Sequence, residues 1–328
     1  MSIALGLNSL TDIKFGANQI SSVYLGNNLV WSNASYILDL YPSAHHAYSL
    51  RKLRSAYTGF CLRVRRTTTT PSATTTEVNV SFNSFYTIGL DSPITYASGA
   101  STTATNLGQF CASILNGYSN PDLVNINQNI FVVTWYDQSG NGKNPTQTAA
   151  GNQPRLVELG NLELSGGKVA VRFTRTSSTR LTIADTTANI NNMSSYFVGQ
   201  YVITGFVQNA YALGTTNRFY LPTSNGVNIS AGYAGTVNAI VLQAVNINRN
   251  LYELLAPSPN NSSVVEAFAN GVSKGTVAIS SGASVAIWLG HANNVNHYDG
   301  YIQEVIGWQS NANRANIESN INTYWTIY

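Results

Sequence analysis

The second half of the chain alternates apolar and polar residues with a period of two, which is the pattern of half-buried β-strands. Such segments recur between short Gly- and Asn-rich turns and predict strands at 131–136, 168–173, 196–207, 239–244, 263–269, 285–289 and 300–308. Asn270-Gly271 predicts a two-residue hairpin tip, because this pair accepts the positive φ that a type I′ turn needs. We therefore expect 263–269 to pair with 272–279.

Helical periodicity is confined to three short segments. Residues 46–57 predict the first helix, 104–115 the second and 312–324 the third. The first prediction rests on apolar residues at helix-like spacing, which are Tyr48, Leu50, Leu53 and Tyr57. Many short strands with few helices predict an all-β fold, either a β-sandwich or a jelly roll.

The beginning of the chain differs from the rest, because three short apolar clusters are separated there by Gly/Asn turns. This pattern predicts a small β-rich module at 1–32, followed by one sandwich domain at 36–328. A piece of this size cannot bury its own apolar residues, so we expect it to attach the protein to a partner. The expected attachment residues are Ile13, Phe15, Ile20, Val23, Tyr24, Leu25 and Trp31.

The composition excludes several classes of protein. Only 9% of the residues are charged and the formal net charge is +3, so amides and hydroxyls dominate the polar surface. These values argue against a coiled coil, a disordered polyelectrolyte and a nucleic-acid binder. No apolar stretch reaches the ~18 residues of a membrane span. The first residues lack a basic region and a long apolar region, so we expect no signal peptide.

The sequence gives little support for metal or redox chemistry. Cys61 and Cys111 lack metal-ligand spacing, and we expect two buried thiols. The four histidines do not have the spacing of a metal site either. Residues 137–142 place oxygen donors at alternating positions but lack the second carboxylate of most Ca²⁺ loops, which favours a turn with Asx hydrogen bonds. We therefore expect no metal and no cofactor.

The densest charge on the chain is basic and comprises Arg51, Lys52, Arg54, Arg63, Arg65 and Arg66. This stretch could meet a phosphate or an acidic glycan. We favour a structural role, in which the guanidinium groups bind backbone carbonyls and the carboxylates of Asp39, Glu77 or Asp137.

Several stretches together resemble a known family. They are 47–66 (AYSLRKLRSAYTGFCLRVRR), 134–147 (TWYDQSGNGKNPTQ), 168–173, and 299–308 with the closing helix. They resemble the catalytic domain of the family 54 α-L-arabinofuranosidases (arabinofuranosidase B). The resemblance covers 36–328 and implies a concanavalin A-like β-sandwich. A short Gly/Asn-rich module before such a domain also resembles bacteriophage virion proteins.

The resemblance implies two catalytic carboxylates, which retaining glycosidases hold about 5–5.5 Å apart. The family takes its nucleophilic Glu from a mid-domain strand, but residues 196–250 contain no Asp or Glu. Its acid/base Asp lies in the loop before the penultimate strand, where this chain has Asn293 and Asn294. An amide cannot donate a proton as a carboxylic acid does. The alternative that Asp299 and Glu304 supply the two catalytic carboxyl groups stays open.

The loops along one rim of the sandwich, at 137–147, 214–226 and 290–298, form the expected ligand surface. Their rings, amides, imidazoles and guanidinium group suit stacking on a sugar and hydrogen bonding to its hydroxyls. The expected ligand-binding residues are Tyr136, Gln138, Asn141, Arg218, Tyr220, His291, Asn293, Asn294, His297 and Tyr298.

Three functions stand as alternatives. We predict a non-catalytic virion surface protein of a bacteriophage, such as a decoration, fibre or receptor-binding component. It would bind a host-surface glycan or another virion protein, join other virion proteins through 1–32 and form a homo-oligomer. The alternatives are a glycoside hydrolase of the arabinofuranosidase type acting on surface polysaccharide, and a purely architectural capsid or tail component.

Overall fold

The computed structural model describes most residues of the chain. These residues are 14–15, 18–19, 22–25, 28–32, 36–66, 77–98, 104–112, 128–187, 192–203, 205–214, 219–233, 239–255, 264–278, 286–292, 294–310 and 313–328.

Short strands make up most of the secondary structure. The strands are β1 (Lys14–Phe15), β2 (Asn18–Gln19), β3 (Ser22–Leu25), β4 (Asn28–Ser32), β5 (Ala44–Ser49), β6 (Leu62–Arg66), β7 (Glu77–Val80), β8 (Ile94–Ser98), β9 (Ile130–Trp135), β10 (Arg155–Glu158), β11 (Asn161–Leu162), β12 (Leu164–Ser165), β13 (Lys168–Val169), β14 (Val171–Phe173), β15 (Leu181–Ala184), β16 (Ser194–Tyr201), β17 (Val207–Asn209), β18 (Tyr211–Leu213), β19 (Phe219–Asn225), β20 (Asn228–Tyr233), β21 (Ala239–Ala244), β22 (Arg249–Leu255), β23 (Val264–Ala269), β24 (Val272–Ala278), β25 (Ala286–Leu289) and β26 (Gly300–Trp308). The helices are α1 (Ile37–Leu40), α2 (Leu107–Ala112) and α3 (Arg314–Trp325), with a 3-10 turn at Ala150–Asn152.

Two antiparallel sheets dominate the described part of the chain. Sheet A has the strand order β24-β23-β22-β16-β26-β14-β10-β9-β6-β7-β8, with β5 also pairing β26 and β11 pairing β10. Sheet B has the order β15-β25-β18-β19-β20-β21, with β17 also pairing β19. The pairs β1-β2, β3-β4 and β12-β13 are separate two-stranded sheets.

One apolar core lies between the two sheets. Val305 on β26 contributes to it from sheet A, and Leu213 on β18 and Leu289 on β25 contribute from sheet B. Ala212 and Trp288 precede these last two residues along their strands and belong to a second, smaller apolar cluster. Successive side chains of a strand point to opposite faces. This second cluster therefore lies on the outer face of sheet B, away from the main core.

The all-β prediction is confirmed, and so is the hairpin at Asn270-Gly271. Strands β23 and β24 pair antiparallel, with Ala269 opposite Val272 at the tip. The φ angles are 50° at Asn270 and 76° at Gly271, the left-handed region at both central positions. The local turn chemistry thus sets the register of these two strands.

The predicted helix at 46–57 is wrong. Its first part is in β5, which pairs antiparallel with β26, and the rest consists of an isolated bridge and turns. All six residues of β5 are buried, so both of its faces meet protein and no period of two is visible. The other two helix predictions are confirmed by α2 and α3, with 113–115 lying outside the described residues.

The basic stretch has the structural role that we favoured. Arg63 forms a 2.6 Å ion pair with Glu77, and Arg54 donates a hydrogen bond to the Ser139 carbonyl. The carboxylate partner of Arg51 lies on β26, which the sequence did not indicate. The two cysteines are buried free thiols, as predicted.

The N-terminal residues form the hairpins β1-β2 and β3-β4, each an independent sheet in the described part of the chain. Among the expected attachment residues, Ile13 and Ile20 lie outside the described residues. Only the backbone is described for the other five. The division into 1–32 and 36–328 stays a prediction. None of the described helices has the length and apolar character required to cross a membrane.

Candidate functional site

Strand β15 brings two of the predicted ligand loops to one edge of sheet B. Thr182 Oγ1 on β15 lies 2.8 Å from His291 Nε2 in the loop 290–298. Lys143, in the loop 137–147, forms a 2.7 Å ion pair with Asp185, which directly follows β15. These two loops therefore border the same part of the molecule, as the rim prediction requires.

Left-handed backbone shapes the loop 290–298. The φ angles are 81° at Gly290, 60° at Asn294 and 53° at Asn296. Glycine is needed at 290, because a Cβ there would lie 2.2 Å from a ring carbon of Phe173. Asparagine is the non-glycine residue that most readily takes this conformation. The left-handed backbone of the loop thus explains its Asn-rich composition.

His291 is fixed as one neutral tautomer. The Asn294 N–H donates to His291 Nδ1 at 3.0 Å, so the ring proton lies on Nε2 and is donated to Thr182 Oγ1. Burial lowers the pKa of His291 to about 3. His297 stacks on this ring with centroids 5.9 Å apart, and burial and the nearby charge of Arg180 lower its pKa. Both imidazoles are neutral at neutral pH and serve as hydrogen-bonding groups.

The rim rests on an aromatic side chain of the outer face of sheet B. Trp288 forms the second apolar cluster there with Ala212, Ala286 and Ala292. The ring of His291 lies 5.9 Å from the indole, centroid to centroid. Only 5% of Trp288 is exposed. The indole therefore packs against His291 and does not offer a free face on which a sugar could stack.

A turn at 174–180 adds two guanidinium groups beside this loop. The Arg175 N–H donates to Asp299 Oδ2 at 3.2 Å, which holds the turn against the end of the loop 290–298. The guanidinium of Arg175 lies 4.0 Å from the ring centroid of Phe206, whose side chain is exposed. Arg180 leads directly into β15 and is half-buried. The turn therefore places cations and an exposed ring next to the imidazoles.

The two carboxylates considered as catalytic alternatives are both occupied. Asp299 is 4% exposed, and its Oδ1 pairs with Arg172 while its Oδ2 accepts from Arg175 N–H. Glu304 is fully buried on β26 and forms a 2.7 Å ion pair with Arg51. Each carboxylate is neutralised by a guanidinium group and is shielded from solvent.

One acidic residue that the sequence analysis did not consider lies just beyond the acid-free segment 196–250. Glu253 lies on β22, and Arg314 on α3 donates to both of its oxygens at 3.0 and 3.2 Å. Burial raises the pKa of Glu253 to about 7, against the opposing charge of Arg314. This buried pair ties α3 to sheet A, which is a structural role.

The remaining acidic side chains that the structure describes also have partners within the protein. Asp12 and Asp122 lie outside the described residues, and each of the other Asp and Glu side chains has an ion-pair or hydrogen-bond partner. Asp137 shows the predicted Asx turn, since it accepts hydrogen bonds from Ser139 N–H and Lys143 N–H. The described part of the chain thus holds no carboxylate in solvent without a partner.

Three of the predicted ligand-binding residues are buried and cannot contact a ligand from solvent. Gln138 accepts a hydrogen bond from Leu53 N–H, and the Tyr298 hydroxyl donates to the Gln200 carbonyl at 2.7 Å. His291 is the third, in the contacts given above. Their polar atoms are needed inside the fold, so replacing them would test stability and not binding.

The other predicted ligand-binding residues are placed differently. Asn141 and Asn294 are exposed and His297 is half-buried, so these three reach the surface. The hydroxyl of Tyr136 donates to Asn79 on β7, on the neighbouring part of sheet A. For Tyr220 only the backbone is described, and it pairs with Ala212 on sheet B. Arg218 and Asn293 lie outside the described residues.

A separate polar cluster crosses the interior between the sheets. Tyr211 OH on β18 lies 2.8 Å from His46 Nε2 on β5, and His46 Nδ1 lies 2.9 Å from His45 Nδ1. His45 Nε2 is 3.4 Å from Asp185 Oδ2. Burial lowers the pKa of His45 to about 4 and that of His46 well below its usual range. Within the described ranges, no three His, Cys, Asp or Glu side chains are grouped so that they could hold a metal ion.

The sequence did not single out Trp288, Arg175, Arg180 or Phe206. Arg175, Arg180 and Phe206 fall where no motif was recognised. One sequence signal could have indicated a cationic rim. The segments 186–252 and 267–298 contain no Asp or Glu at all, so basic residues near them meet few acidic partners.

Comparisons with known proteins support the fold and no more. No family model matches the sequence, and no curated protein matches it either. Among solved structures, the fold is similar to that of a GH54 α-L-arabinofuranosidase soaked with a cyclic sulfate inhibitor, with a TM-score of 0.52 and 16% sequence identity. That match covers 87% of this chain and 64% of the other.

Two further structures give the same result. A mutant of a GH54 α-L-arabinofuranosidase soaked with 4-nitrophenyl α-L-arabinofuranoside matches with a TM-score of 0.53, and an arabinofuranosidase complexed with arabinofuranosyl-α-1,2-xylobiose matches with 0.50. Both are 16% identical and are matched over 87% of this chain and 64% of their own length. The likeness confirms the sandwich fold that the sequence resemblance implied. At this identity it shows the fold alone.

Proposed function

We propose that this chain is a non-catalytic carbohydrate-binding protein. Its binding surface is the rim formed by the loops 137–147, 174–180 and 290–298. One observation carries the proposal, which is that Asp299 and Glu304 are buried and paired with arginines. A glycosidase needs one carboxyl group to protonate the leaving oxygen and a second to attack or to activate water. Both carboxylates are bound by guanidinium groups inside the fold, so neither is presented to a glycosidic bond.

The side chains of the rim support binding. Asn294 and Asn296 are exposed, His297 is half-buried and Phe206 is exposed. Amides and imidazoles can hydrogen-bond to sugar hydroxyls, and a ring can pack on the apolar face of a sugar. The similarity of the fold to arabinofuranosidases supports a carbohydrate ligand by analogy.

We also propose that the protein lies on the surface of a bacteriophage virion. This proposal rests on the resemblance of the N-terminal module to virion proteins and on the pairing of β1-β2 and β3-β4 among themselves. In this proposal the module joins other virion proteins, and a homo-oligomer presents several rims to a host-surface glycan. Several weak sites on one particle would give strong overall attachment.

We expect binding without turnover. Calorimetric titration with arabinofuranosyl oligosaccharides should give a Kd between about 1 mM and 1 μM, which corresponds to about 4–8 kcal/mol. The variant H297A should weaken this binding, and the exposed β24 variant K274A should not. Incubation with 4-nitrophenyl α-L-arabinofuranoside should release no nitrophenol. Release that disappears in D299N or E304Q, while the thermal transition shows the variant folded, would establish the hydrolase instead, and the absence of any glycan binding would favour the architectural alternative.

Removal of the N-terminal module should separate attachment from folding. A chain beginning at residue 36 should keep the thermal transition of the sandwich, because the described strands of the module make no ladder with sheet A or sheet B. It should fail to sediment with particles that the full chain joins. Co-sedimentation of both forms to the same extent would show that attachment lies elsewhere in the chain.

A further inference from the structure

Two arginines flank the exposed end of the loop 290–298. Arg175 lies in the turn 174–180 and Arg180 at its end, and both are half-buried. The charges of both act on His297, since burial, Arg180 and then Arg175 lower the pKa of that imidazole. Burial and the charges of His297 and Arg180 also lower the pKa of His291. The electrostatic potential at this corner of the rim is therefore positive.

Arg54, Arg65 and Arg249 donate to backbone carbonyls. Five further arginines are neutralised by carboxylates, in the pairs Arg51–Glu304, Arg63–Glu77, Arg155–Glu163, Arg172–Asp299 and Arg314–Glu253. In the described structure, Arg175 and Arg180 have no such ion pair. The acids nearest in sequence to 174–180 and 290–298 are Asp185 and Asp299, which are already paired with Lys143 and Arg172. The segments 186–252 and 267–298 contain no acid that could neutralise this corner, whatever their conformation.

The two guanidinium groups are held in place and keep N–H donors that are not engaged by the protein. The backbone N–H of Arg175 is bound to Asp299, and its guanidinium packs 4.0 Å from the centroid of the Phe206 ring. Arg180 donates from Nη1 to the Ser178 carbonyl at 3.0 Å. Each guanidinium has five N–H donors, so most of them are left for a ligand. Stacking on an aromatic ring reduces the freedom that an arginine loses on binding.

His297 lies at the same place with its ring half-buried. Its Nδ1 is shielded from solvent, so a ligand would meet the exposed edge of the imidazole. The ring itself is held by stacking on His291, which is fixed by Thr182 and Asn294.

We infer that Arg175, Arg180 and His297 form a subsite for the anionic group of an acidic carbohydrate, with Phe206 packing beside the sugar ring. The anionic group is a carboxylate or a phosphate, because planar guanidinium forks bind both in a bidentate manner. This inference deepens the proposed function and rests on it, since it names the class of glycan that the rim selects. A neutral arabinose polymer would leave the two positive charges without partners.

The inference is tested by comparing acidic and neutral probes on the full-length protein. We would titrate oligogalacturonate, poly(glycerol phosphate) and neutral arabinan oligosaccharides by calorimetry at 50 and 300 mM NaCl. An acidic probe should bind at least about tenfold more tightly than arabinan at low salt and lose most of that advantage at high salt. Uronate and phosphate probes are separate arms, and the tighter one identifies which anionic group the subsite takes.

Substitutions assign the effect to the subsite. R175Q and R180Q should each weaken acidic binding about tenfold. R175K should keep part of the effect, because it retains the charge and loses the planar fork. K274Q removes one positive charge from exposed β24 and serves as the matched control. Thermal unfolding should show all four variants folded, since none of these side chains is in the core.

Two outcomes would overturn the inference. One is equal affinity for acidic and neutral probes, and the other is unchanged acidic binding in R175Q and R180Q. If either outcome is found but the protein still binds arabinan, the proposed carbohydrate-binding function remains supported. Loss of binding to every probe would overturn that function as well.

Discussion

The variant E304A is expected to lower the free energy of unfolding by about 3–5 kcal/mol, the usual cost of leaving a buried charge without its partner. Glu304 is fully buried and accepts hydrogen bonds from Arg51 Nε at 2.7 Å, from Arg51 Nη2 at 2.9 Å and from Ser49 Oγ at 2.7 Å. Its removal leaves the Arg51 guanidinium buried and uncompensated. Arg51 also donates to Asn320 on α3, so the attachment of that helix should weaken too.

Urea unfolding of three variants would check this expectation. E158Q is the matched control, because Glu158 also pairs with an arginine but is largely exposed, and its change should stay below about 1 kcal/mol. The double variant R51M/E304L removes both charges and should recover most of the stability lost in E304A. A loss of unfolding free energy in E304A no larger than that in E158Q would show that the buried pair stabilises the fold no more than an exposed pair does.

Acidification below about pH 6.5 should destabilise the protein, because its histidines are buried as neutral groups. Burial lowers the pKa of His45 to about 4 and of His291 to about 3, and it also lowers the pKa of His46 and His297. In the unfolded chain a histidine titrates near pH 6.5. As the pH falls below that value the unfolded state takes up protons that the folded state refuses, so stability falls with pH.

Glu253 acts in the opposite direction. Burial raises its folded pKa to about 7, so the folded state holds a proton between about pH 7 and the ordinary Glu value near 4.3. Its contribution to stability is therefore present at low pH and lost as the pH rises through 7. The histidines outnumber this glutamate, so unfolding takes up protons below about pH 6.5 and the free energy of unfolding should fall as the pH drops from 6 to 5.

Urea unfolding at half-unit steps from pH 7 to 5 would measure that slope. H291Q removes one of the titrating groups and should reduce the slope by about 1.4 kcal/mol per pH unit. E253Q removes the opposing group and should make the slope steeper. A free energy of unfolding that is flat over this range would contradict the burial of the histidines as neutral groups.

Features set by local chemistry could be predicted from the sequence. The Asn270-Gly271 hairpin needs only two residues that accept positive φ and two alternating strands beside them. The Asx turn at Asp137 likewise depends on its immediate neighbours. These contacts are short in sequence, and the residue types alone determine them.

Features set by distant partners could not be predicted. Strand β5 pairs with β26 more than 250 residues away, and burial of both its faces removes the alternation that marks a strand. The partner of Arg51 is on that same distant strand. The ligand surface at 290–298 stays a prediction, and burial withdraws His291 and Tyr298 from contact with solvent. Polar residues that suit a ligand equally suit hydrogen bonds inside the fold, and only the three-dimensional arrangement separates these uses.

The hydrogen bond between Tyr211 and His46 joins sheet B to sheet A through the interior. Apolar contacts between stacked sheets are non-directional and allow one sheet to slide over the other. Sliding by a single residue, about 3.3 Å, would separate these two groups and break a buried hydrogen bond. The sandwich is therefore held against shear here, close to the loop that carries Lys143, and also where the Thr146 backbone bridges Thr134 of β9 and Thr182 of β15. In the proposed glycan-bound state, a force on the rim would reach sheet A through both connections.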